Sequence, residues 1–211
     1  MRIISVASPC NGSGKTSLLC SILQSFPERL VALKCSTIYP DEVFCPATDT
    51  DCACRNLDGD FVVIDDPKTI RCPKTDTAKL DASGALRTLW CLARPPHHDR
   101  LWALLRSSFL DSRTPVVCEG NSVVPYMKPD LKIFVVAPDR PRSIWKENAG
   151  EWIATADIVI VNSPDPAGKS ELSRMRGSNE GIIAEDARTP VNLWRDRSLF
   201  DRILYLLENP L

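Results

Sequence analysis

The stretch SPCNGSGKTSLL, residues 8–19, directly follows a short apolar run, IISVA, at residues 3–7. A loop between a strand and a helix can wrap backbone N–H groups around a phosphate, with the positive end of the helix dipole facing the same anion. The apolar side chains of residues 16–26 recur on one helical face, which supports the helix. The stretch therefore predicts a strand, a phosphate-binding loop and a helix at the start of an α/β fold.

The residues of this loop, residues 8–16, here called the glycine loop, suit contact with phosphate and metal. Gly12 and Gly14 permit a close backbone approach, Lys15 offers a cation to the terminal phosphates, and the Thr16 hydroxyl is a ligand for Mg²⁺. Pro9 stands where the strict pattern has its first glycine, and the G-K-T segment is kept. We expect a nucleotide to be bound by Asn11, Gly12, Ser13, Gly14, Lys15, Thr16 and Ser17.

The length and charge of the chain limit the classes of protein it can belong to. A chain of 211 residues suits one α/β domain with a sizeable core, so we expect residues 1–211 to form a single domain. Its 26 basic and 27 acidic side chains are interspersed, which argues against binding to nucleic acid or to a membrane surface. No segment has the layout of a signal peptide or the length of a spanning helix, so we expect a cytoplasmic protein.

Strand-like and helix-like segments alternate along the chain. This pattern predicts a three-layer α/β fold with a mostly parallel sheet of seven or eight strands and helices on both faces. The predicted strands are residues 3–7, 30–35, 61–65, 86–93, 115–119, 131–137, 157–162 and 181–184. The predicted helices are residues 16–26, 76–84, 98–110, 142–155, 168–175 and 193–208. Because ligands of such folds gather at the carboxyl ends of the strands, those ends are the places to look for catalytic groups.

Two predicted strands end in carboxylates. The run FVVIDDP, residues 61–67, ends with Asp65 and Asp66, and TPVVCEGNS, residues 114–122, contains Glu119. Transfer of a phosphoryl group needs an acidic group that holds Mg²⁺ directly or through water. Glu119 is the first choice for this role and Asp66 the second, although each can simply cap the next turn. With Lys15 and Thr16 they form the predicted catalytic set.

A third strand end bears on base recognition. The run ADIVIVNSPD, residues 156–165, ends in Asn162 and Asp165, with the spacing that GTP-binding proteins use to read guanine. Ser163 stands where those proteins have a lysine, and the same spacing also occurs in simple turns. The sequence therefore leaves both GTP and ATP open as the nucleotide.

The order of these segments is similar to that of a known family. The matching pieces are NGSGKTSLL, VALK (31–34), KTDTAKLDASGA (74–85), VVCEGN (116–121) and ADIVIVN (156–162). They resemble the molybdopterin-guanine dinucleotide biosynthesis protein B family, relatives of dethiobiotin synthetase-like P-loop NTPases. The resemblance implies nucleotide hydrolysis, a role in molybdenum cofactor biosynthesis and a possible homodimer. Lys74, Asp76 and Thr77 are then a loop that recognises a second substrate or partner, and Cys35 stands where the family often has histidine.

The chain has nine cysteines, and because a reducing compartment does not favour disulfides, thiols gathered there more often serve metals or chemistry. Cys10, Cys20, Cys91 and Cys118 lie in apolar surroundings typical of small buried residues. A polar, Cys-rich insert at about residues 36–75 contains Cys45, Cys52, Cys54 and Cys72, which can hold Zn²⁺ or an iron–sulfur cluster. Cys35 is an alternative ligand, and free thiols or a redox pair are the alternative to a metal.

Adjacent His97 and His98 follow two prolines. We interpret this pair as the exposed start of a helix and not as metal ligands.

Together these features predict a P-loop NTPase. It would use Mg²⁺ and GTP or ATP, and couple hydrolysis to assembly or delivery of a metal-containing cofactor with a partner protein. One alternative is an ATP-dependent kinase or ligase that acts on a small-molecule acceptor and carries a structural zinc. Another is a nucleotide- or metal-responsive adaptor without catalysis.

Overall fold

A computed structural model describes residues 1–39, 59–163, 177 and 180–209. In these residues one eight-stranded sheet forms the centre of the fold. Its strands are β1 (Ile3–Ala7), β2 (Val31–Thr37), β3 (Phe61–Ile64), β4 (Arg87–Ala93), β5 (Val116–Glu119), β6 (Leu131–Val136), β7 (Ile158–Asn162) and β8 (Ile182–Glu185). They are ordered β3-β4-β2-β5-β1-β6-β7-β8 across the sheet.

Helices follow most of the strands in the chain. They are α1 (Lys15–Ser25), α2 (Pro67–Ile70), α3 (Asp76–Ala82), α4 (His98–Leu104), α5 (Val124–Met127), α6 (Ala149–Thr155) and α7 (Ser198–Glu208). Short 3₁₀ turns lie at Arg142–Ile144 and Val191–Leu193, and a π-helical turn at Leu105–Phe109 continues α4. None of the described helices has the length and apolar character that crossing a membrane requires.

The side chains of the central strand β1 show why helices cover both faces. Because successive side chains of a strand point to opposite faces, Ile4 packs with Leu19 and Ile22 of α1, while Ile3 packs with Leu101 of α4 on the other side. These side chains are all at most 6% exposed. The predicted three-layer α/β fold with a mostly parallel sheet and helices on both faces is confirmed.

The predicted boundaries of the strands agree with the structure within two residues. Several helices differ from prediction: 98–110 changes to a π-helical turn at Leu105, and 142–155 and 193–208 each begin with a separate 3₁₀ turn or loop. The short helices α2 and α5 were not predicted, because four residues are too few to show a helical period. The predicted helix 168–175 lies outside the described residues.

The direction of β3 is the largest departure from the expected arrangement. Among the described strands, every pair is parallel except β3 with β4, which pair antiparallel so that Phe61 lies opposite Ala93 and Ile64 opposite Trp90. The end of β3 therefore points to the edge of the sheet where the other strands begin. The side chain of Asp65 accepts a hydrogen bond there from Arg87, the first residue of β4.

Candidate functional site

A cleft of about 710 Å³ opens at the carboxyl ends of β1, β2 and β5. The glycine loop forms one wall, the last residues of β2 and the loop after β5 form the floor, and the start of α3 closes the other side. These three strands are neighbours in the sheet, in the order β2-β5-β1. The topology therefore brings together groups that are more than 100 residues apart in the chain.

Gly14 is the residue through which the glycine loop enters α1. Its φ of 97° lies in the left-handed region, and a Cβ at this position would lie 2.2 Å from Nδ2 of Asn162. A side chain would be strained here and would collide with its neighbour, so glycine is required. The backbone thereby approaches the cleft at the amino end of an 11-residue helix, as a phosphate site needs.

Lys15 crosses the glycine loop. Its ammonium donates a hydrogen bond to the Ser8 hydroxyl at 2.7 Å and lies 3.5 Å from the carbonyl of Cys10. Burial lowers the pKa of Lys15, and the Glu119 carboxylate partly offsets that effect. The backbone of Ser8 is in turn bound to the Asn121 side chain, which accepts from its N–H at 3.3 Å and donates to its carbonyl at 2.8 Å.

Glu119 links three elements in the floor of the cleft. One of its oxygens accepts a hydrogen bond from the Thr16 hydroxyl at 2.9 Å, and the other accepts from the ammonium of Lys34. Lys34 also donates to Asp76 at 3.0 Å, and Asp76 pairs with Lys79 at 3.0 Å. Glu119 is only 2% exposed, so its charge is compensated by these partners and not by water.

The ionisation of this network follows from its pairing. Burial alone would lower the pKa of Lys34, but Glu119 and Asp76 outweigh it and raise that pKa. Burial alone would likewise raise the pKa of Asp76, but the Lys34 ammonium outweighs it and lowers that pKa. Both groups are therefore charged near neutral pH.

The oxygen atoms of this network suit a magnesium ion. Mg²⁺ prefers hard oxygen ligands and commonly combines one or two carboxylates with hydroxyl, phosphate or water oxygens. The Thr16 hydroxyl and the Glu119 carboxylate already lie within 2.9 Å of each other, and Asp76 lines the same cleft. The chemistry of this donor set fits the ion.

The predicted partner loop also lines the cleft, but its three residues have different surroundings. Asp76 belongs to the Lys34 network, whereas Thr77 is buried and its hydroxyl lies 3.0 Å from that of Thr75, which caps α3. Lys74 is exposed at the rim with a φ of 68°. Of the three, Lys74 has the most exposed side chain, and recognition of a second substrate or partner by this loop stays a prediction.

The prediction that Asp66 assists at the metal does not agree with its position. Its carboxylate caps α2 by accepting from the backbone N–H and the hydroxyl of Thr69, both at 2.9 Å. The N–H of Thr69 lowers the pKa of Asp66, because it stabilises the charged form. Because β3 runs antiparallel, Asp66 lies at the edge opposite the cleft and has the capping role that was its alternative.

Asn162 connects the glycine loop with the chain after β8. Its side chain donates to the carbonyl of Ser13 at 3.2 Å and accepts from the backbone N–H of Ala187 at 2.9 Å. These bonds position the loop, so Asn162 has a structural task here. Asp165 lies outside the described residues, and recognition of the base by this pair stays a prediction.

Of the four cysteines of the predicted metal site, only Cys72 lies within the described residues. Cys45, Cys52 and Cys54 lie outside the described residues, so the predicted zinc or iron–sulfur site stays a prediction. Cys72 is half-buried just before α3, and its carbonyl accepts from the Thr75 hydroxyl at 2.7 Å. In the part of the chain that the structure describes, no group of three or more histidine, cysteine or acidic side chains is arranged so that it could hold a metal ion.

Three residues in or next to the cleft were not identified from the sequence. Lys34 could have been identified, because a lysine near the end of an otherwise apolar strand needs a partner for its charge. Asn121 gave no signal. His98 is buried at 6% exposure, and its Nε2 lies 3.0 Å from the hydroxyl of Thr37, which lines the cleft. The expectation of an exposed histidine pair was therefore wrong for His98, since the helix start packs against β2.

No protein-family model matches this chain. A stretch of 64 residues is 36% identical to part of a protein named arginine synthetase ArcE, from Thermococcus kodakarensis. The match covers 30% of the present chain and 14% of that protein. A likeness of this extent does not assign the chain to a family.

Proposed function

We propose that the cleft binds a nucleoside triphosphate, GTP or ATP, together with Mg²⁺, and that the protein cleaves the bond to the γ-phosphate. The observation that carries this proposal is a convergence of charged groups. The amino end of α1, the ammonium of Lys15 and the linked pair Thr16 and Glu119 all border one cleft. These are the parts that phosphoryl transfer requires, because its catalysis depends mainly on positioning and on neutralising charge.

Each part has a defined task in this proposal. Backbone N–H groups of the glycine loop hold the phosphates at the helix terminus. Lys15 exchanges the neutral Ser8 hydroxyl for a phosphate oxygen, which is the stronger acceptor because it is charged. Thr16, Glu119 and Asp76 would hold Mg²⁺, which supplies positive charge to the phosphate oxygens when it is bound.

The charge of the cleft also supports an anionic ligand. Its lining contains more cations than carboxylates, so a polyphosphate balances it. The lysines are Lys15, Lys34, Lys74, Lys79 and Lys146, and the carboxylates are Asp76 and Glu119. Lys34 lies between the two carboxylates, next to the metal ligands, where its charge also reaches the transferred phosphoryl group.

The direct test is the loss of the Lys15 ammonium. Lys15→Ala should weaken binding of a fluorescent GTP or ATP analogue in Mg²⁺ by about 10- to 100-fold, because a charge-assisted hydrogen bond is lost. Lys68→Ala is the matched control, since Lys68 is an exposed lysine of α2, outside the lining of the cleft. Unchanged affinity in Lys15→Ala would contradict the proposal, and binding without phosphate release would indicate the adaptor.

Coupling of this hydrolysis to assembly or delivery of a metal-containing cofactor is the wider form of the proposal. It depends on the predicted metal site of Cys45, Cys52, Cys54 and Cys72 and on the family resemblance. Elemental analysis of the anaerobically purified protein tests it, because a zinc or iron–sulfur site would appear as a stoichiometric metal.

A second candidate is transfer of the phosphoryl group to a small-molecule acceptor. Two observations favour it: the cleft continues from the glycine loop to the hydroxyls of Thr37 and Ser122 and to Trp90, and the partial likeness is to a protein named a synthetase. A kinase or ligase would release nucleoside diphosphate only when an acceptor is added. Steady release without an acceptor supports hydrolysis instead.

A further inference from the structure

We propose that Cys35 is a redox-modification site, at which a peroxide oxidises the thiol and Cys91 then completes a disulfide between β2 and β4. This cross-link forms in the floor of the cleft, one residue from Lys34. The proposal about the thiols is independent of the proposed function. Only its effect on nucleotide binding rests on that function.

Three thiols lie together beneath the cleft. Cys35 is half-buried and lines the cleft, whereas Cys91 and Cys118 are completely buried behind it. All three belong to one apolar cluster on the face of the sheet that α4 covers. A small oxidant that enters the cleft therefore meets Cys35 first, and a buried thiol is available to resolve the oxidised sulfur.

The sheet register decides which buried thiol can form the bond. Cys35 and Cys91 are directly opposed partners of the parallel strands β2 and β4, so their Cα atoms lie about 4.8 Å apart, within the range that disulfides use. Cys118 lies opposite Leu33, two residues earlier in β2. Two residues add about 6.6 Å along the strand, which takes the Cα separation beyond the disulfide limit of about 7 Å.

The thiol of Cys118 has a different place in the cluster. Its sulfur lies 3.6 Å from that of Cys35, at hydrogen-bond distance for a thiol. This contact packs the sulfurs without aligning the backbones for a bond. Cys118 is therefore a neighbour that stays reduced, and it provides a matched control for Cys91.

The chemistry balances with a peroxide as the only oxidant. The Cys35 sulfur attacks one peroxide oxygen, the O–O bond breaks, and sulfenic acid and water form. The Cys91 sulfur then displaces the hydroxyl group of the sulfenic acid, so that an S–S bond forms and a second water leaves. Together the two thiols lose two protons and two electrons, and a dithiol reductant restores them.

The bond would alter the cleft. Directly opposed residues of parallel strands keep their Cβ atoms farther apart than the roughly 3.8 Å of a disulfide, so the bond draws β2 and β4 together. Cys35 also contacts the chain after β5, since a Cβ on Gly120 would lie 2.7 Å from the Cys35 carbonyl. Movement of Cys35 therefore reaches both Lys34 and the loop that follows Glu119. A bond strained in this way is easily reduced, as a reversible modification requires.

The test uses the purified full-length chain. It is treated with graded hydrogen peroxide, the remaining thiols are alkylated, and the protein is digested without reduction for mass spectrometry. We expect a linked pair of peptides that contain Cys35 and Cys91, lighter by two hydrogen atoms than the sum of the free peptides. The link should disappear after dithiothreitol. A link from Cys35 to Cys118 or to a cysteine of residues 45–54 would overturn the assignment, as would an unmodified Cys35 when the half-buried Cys72 is oxidised.

Two variants sharpen the result. Cys118→Ala should keep the Cys35–Cys91 link, whereas Cys91→Ala should leave a sulfenic acid on Cys35 that a dimedone reagent traps. If Cys91→Ala does not fold, the wild-type peptide map still decides the question. Trapping no sulfenic acid in folded Cys91→Ala would contradict the proposed order of steps.

The effect on the cleft is measured separately. Oxidised wild type should bind the fluorescent nucleotide several-fold more weakly, with recovery after reduction. If neither form binds nucleotide, the proposed function fails and the disulfide assignment stands. If both forms bind equally well, the modification has no effect on the cleft, and that part of the inference is wrong.

Discussion

Glu119 and Asp66 each follow a short apolar strand, yet they lie at opposite edges of the same sheet. Glu119 ends a parallel strand beside the glycine loop, is 2% exposed and accepts from Lys34 and Thr16. Asp66 follows the antiparallel strand β3, is exposed and caps α2. The difference shows that the direction of a strand decides whether its terminal carboxylate joins the site.

The surroundings of the two carboxylates differ as much as their positions. Buried charges need partners, because water no longer solvates them, and Glu119 receives one ammonium and one hydroxyl. Asp66 needs no such partners, and its hydrogen bonds to Thr69 are those of an ordinary helix cap. A substitution should therefore affect catalysis at one edge and only local stability at the other.

The largest expected effect is on turnover. Glu119→Gln removes the negative charge next to the Thr16 hydroxyl, so Mg²⁺-dependent phosphate release should fall by about 100-fold. Asp66→Ala should leave phosphate release unchanged and cause only a small decrease in the free energy of unfolding, because a helix cap at an exposed site is lost. Steady-state phosphate assays and urea unfolding measure the two effects. Equal losses of turnover in both variants would remove the distinction between the two edges.

The second prediction compares an ion pair from each edge. Lys34 and Glu119 have side chains that are 17% and 3% exposed, whereas those of Arg87 and Asp65 are 43% and 48% exposed. Lys34→Met leaves a buried carboxylate without its cation and should cost about 3 kcal/mol of the free energy of unfolding. Arg87→Met should cost less than about 1 kcal/mol, because its pair is solvated. Urea unfolding of both variants at one pH provides the measurement.

If Lys34→Met lowers the free energy of unfolding less than Arg87→Met does, the surroundings of the Lys34–Glu119 pair are more hydrated than its burial indicates. Raising the salt concentration further distinguishes the stabilities of the two ion pairs. The Arg87 pair should weaken with added salt, whereas the Lys34 pair should change little, because screening acts mainly on exposed charges.

The smallest expected effect is a dependence of stability on pH, which arises from a histidine at the edge of the sheet where the parallel strands end. Burial lowers the pKa of His98 below its ordinary value of 6.5, although Cys35 and Asp99 act in the opposite direction. As the pH falls through 6.5, the unfolded chain takes up this proton before the folded chain does. The free energy of unfolding should therefore decrease from pH 7.5 to 5.5, by at most about 1.4 kcal/mol over the whole range.

His98→Gln should flatten this slope, since it removes the titrating ring and keeps a polar side chain near Thr37. His97→Gln is the matched control, because His97 is the preceding residue and its ring faces Asp60 instead. Thermal or urea unfolding across this pH range provides the slopes. A slope that persists in His98→Gln and disappears in His97→Gln would reverse the assignment of the buried histidine.

Much of the fold was visible in the sequence because it depends on local patterns. The strand before the glycine loop and the helix after it follow from apolar residues with the period of each element, and Glu119 was identified because it ends an apolar strand. The burial of Cys91 and Cys118 was also predicted correctly from their apolar neighbours. Each of these features is decided by residues a few positions apart.

The pairing of distant residues was beyond such patterns. The antiparallel direction of β3 is set by its pairing with β4, and His98 is buried because its helix packs against β2 next to Thr37. The order of the strands places Lys34 between Asp76 and Glu119. Hydrogen bonds between strands and the burial of side chains join residues far apart in the chain, and no local period encodes them. By itself the sequence determined the elements, the glycine loop and the acidic strand end. The tertiary structure alone decided which charges meet in the cleft, because strand direction and order are set by packing over the whole sheet.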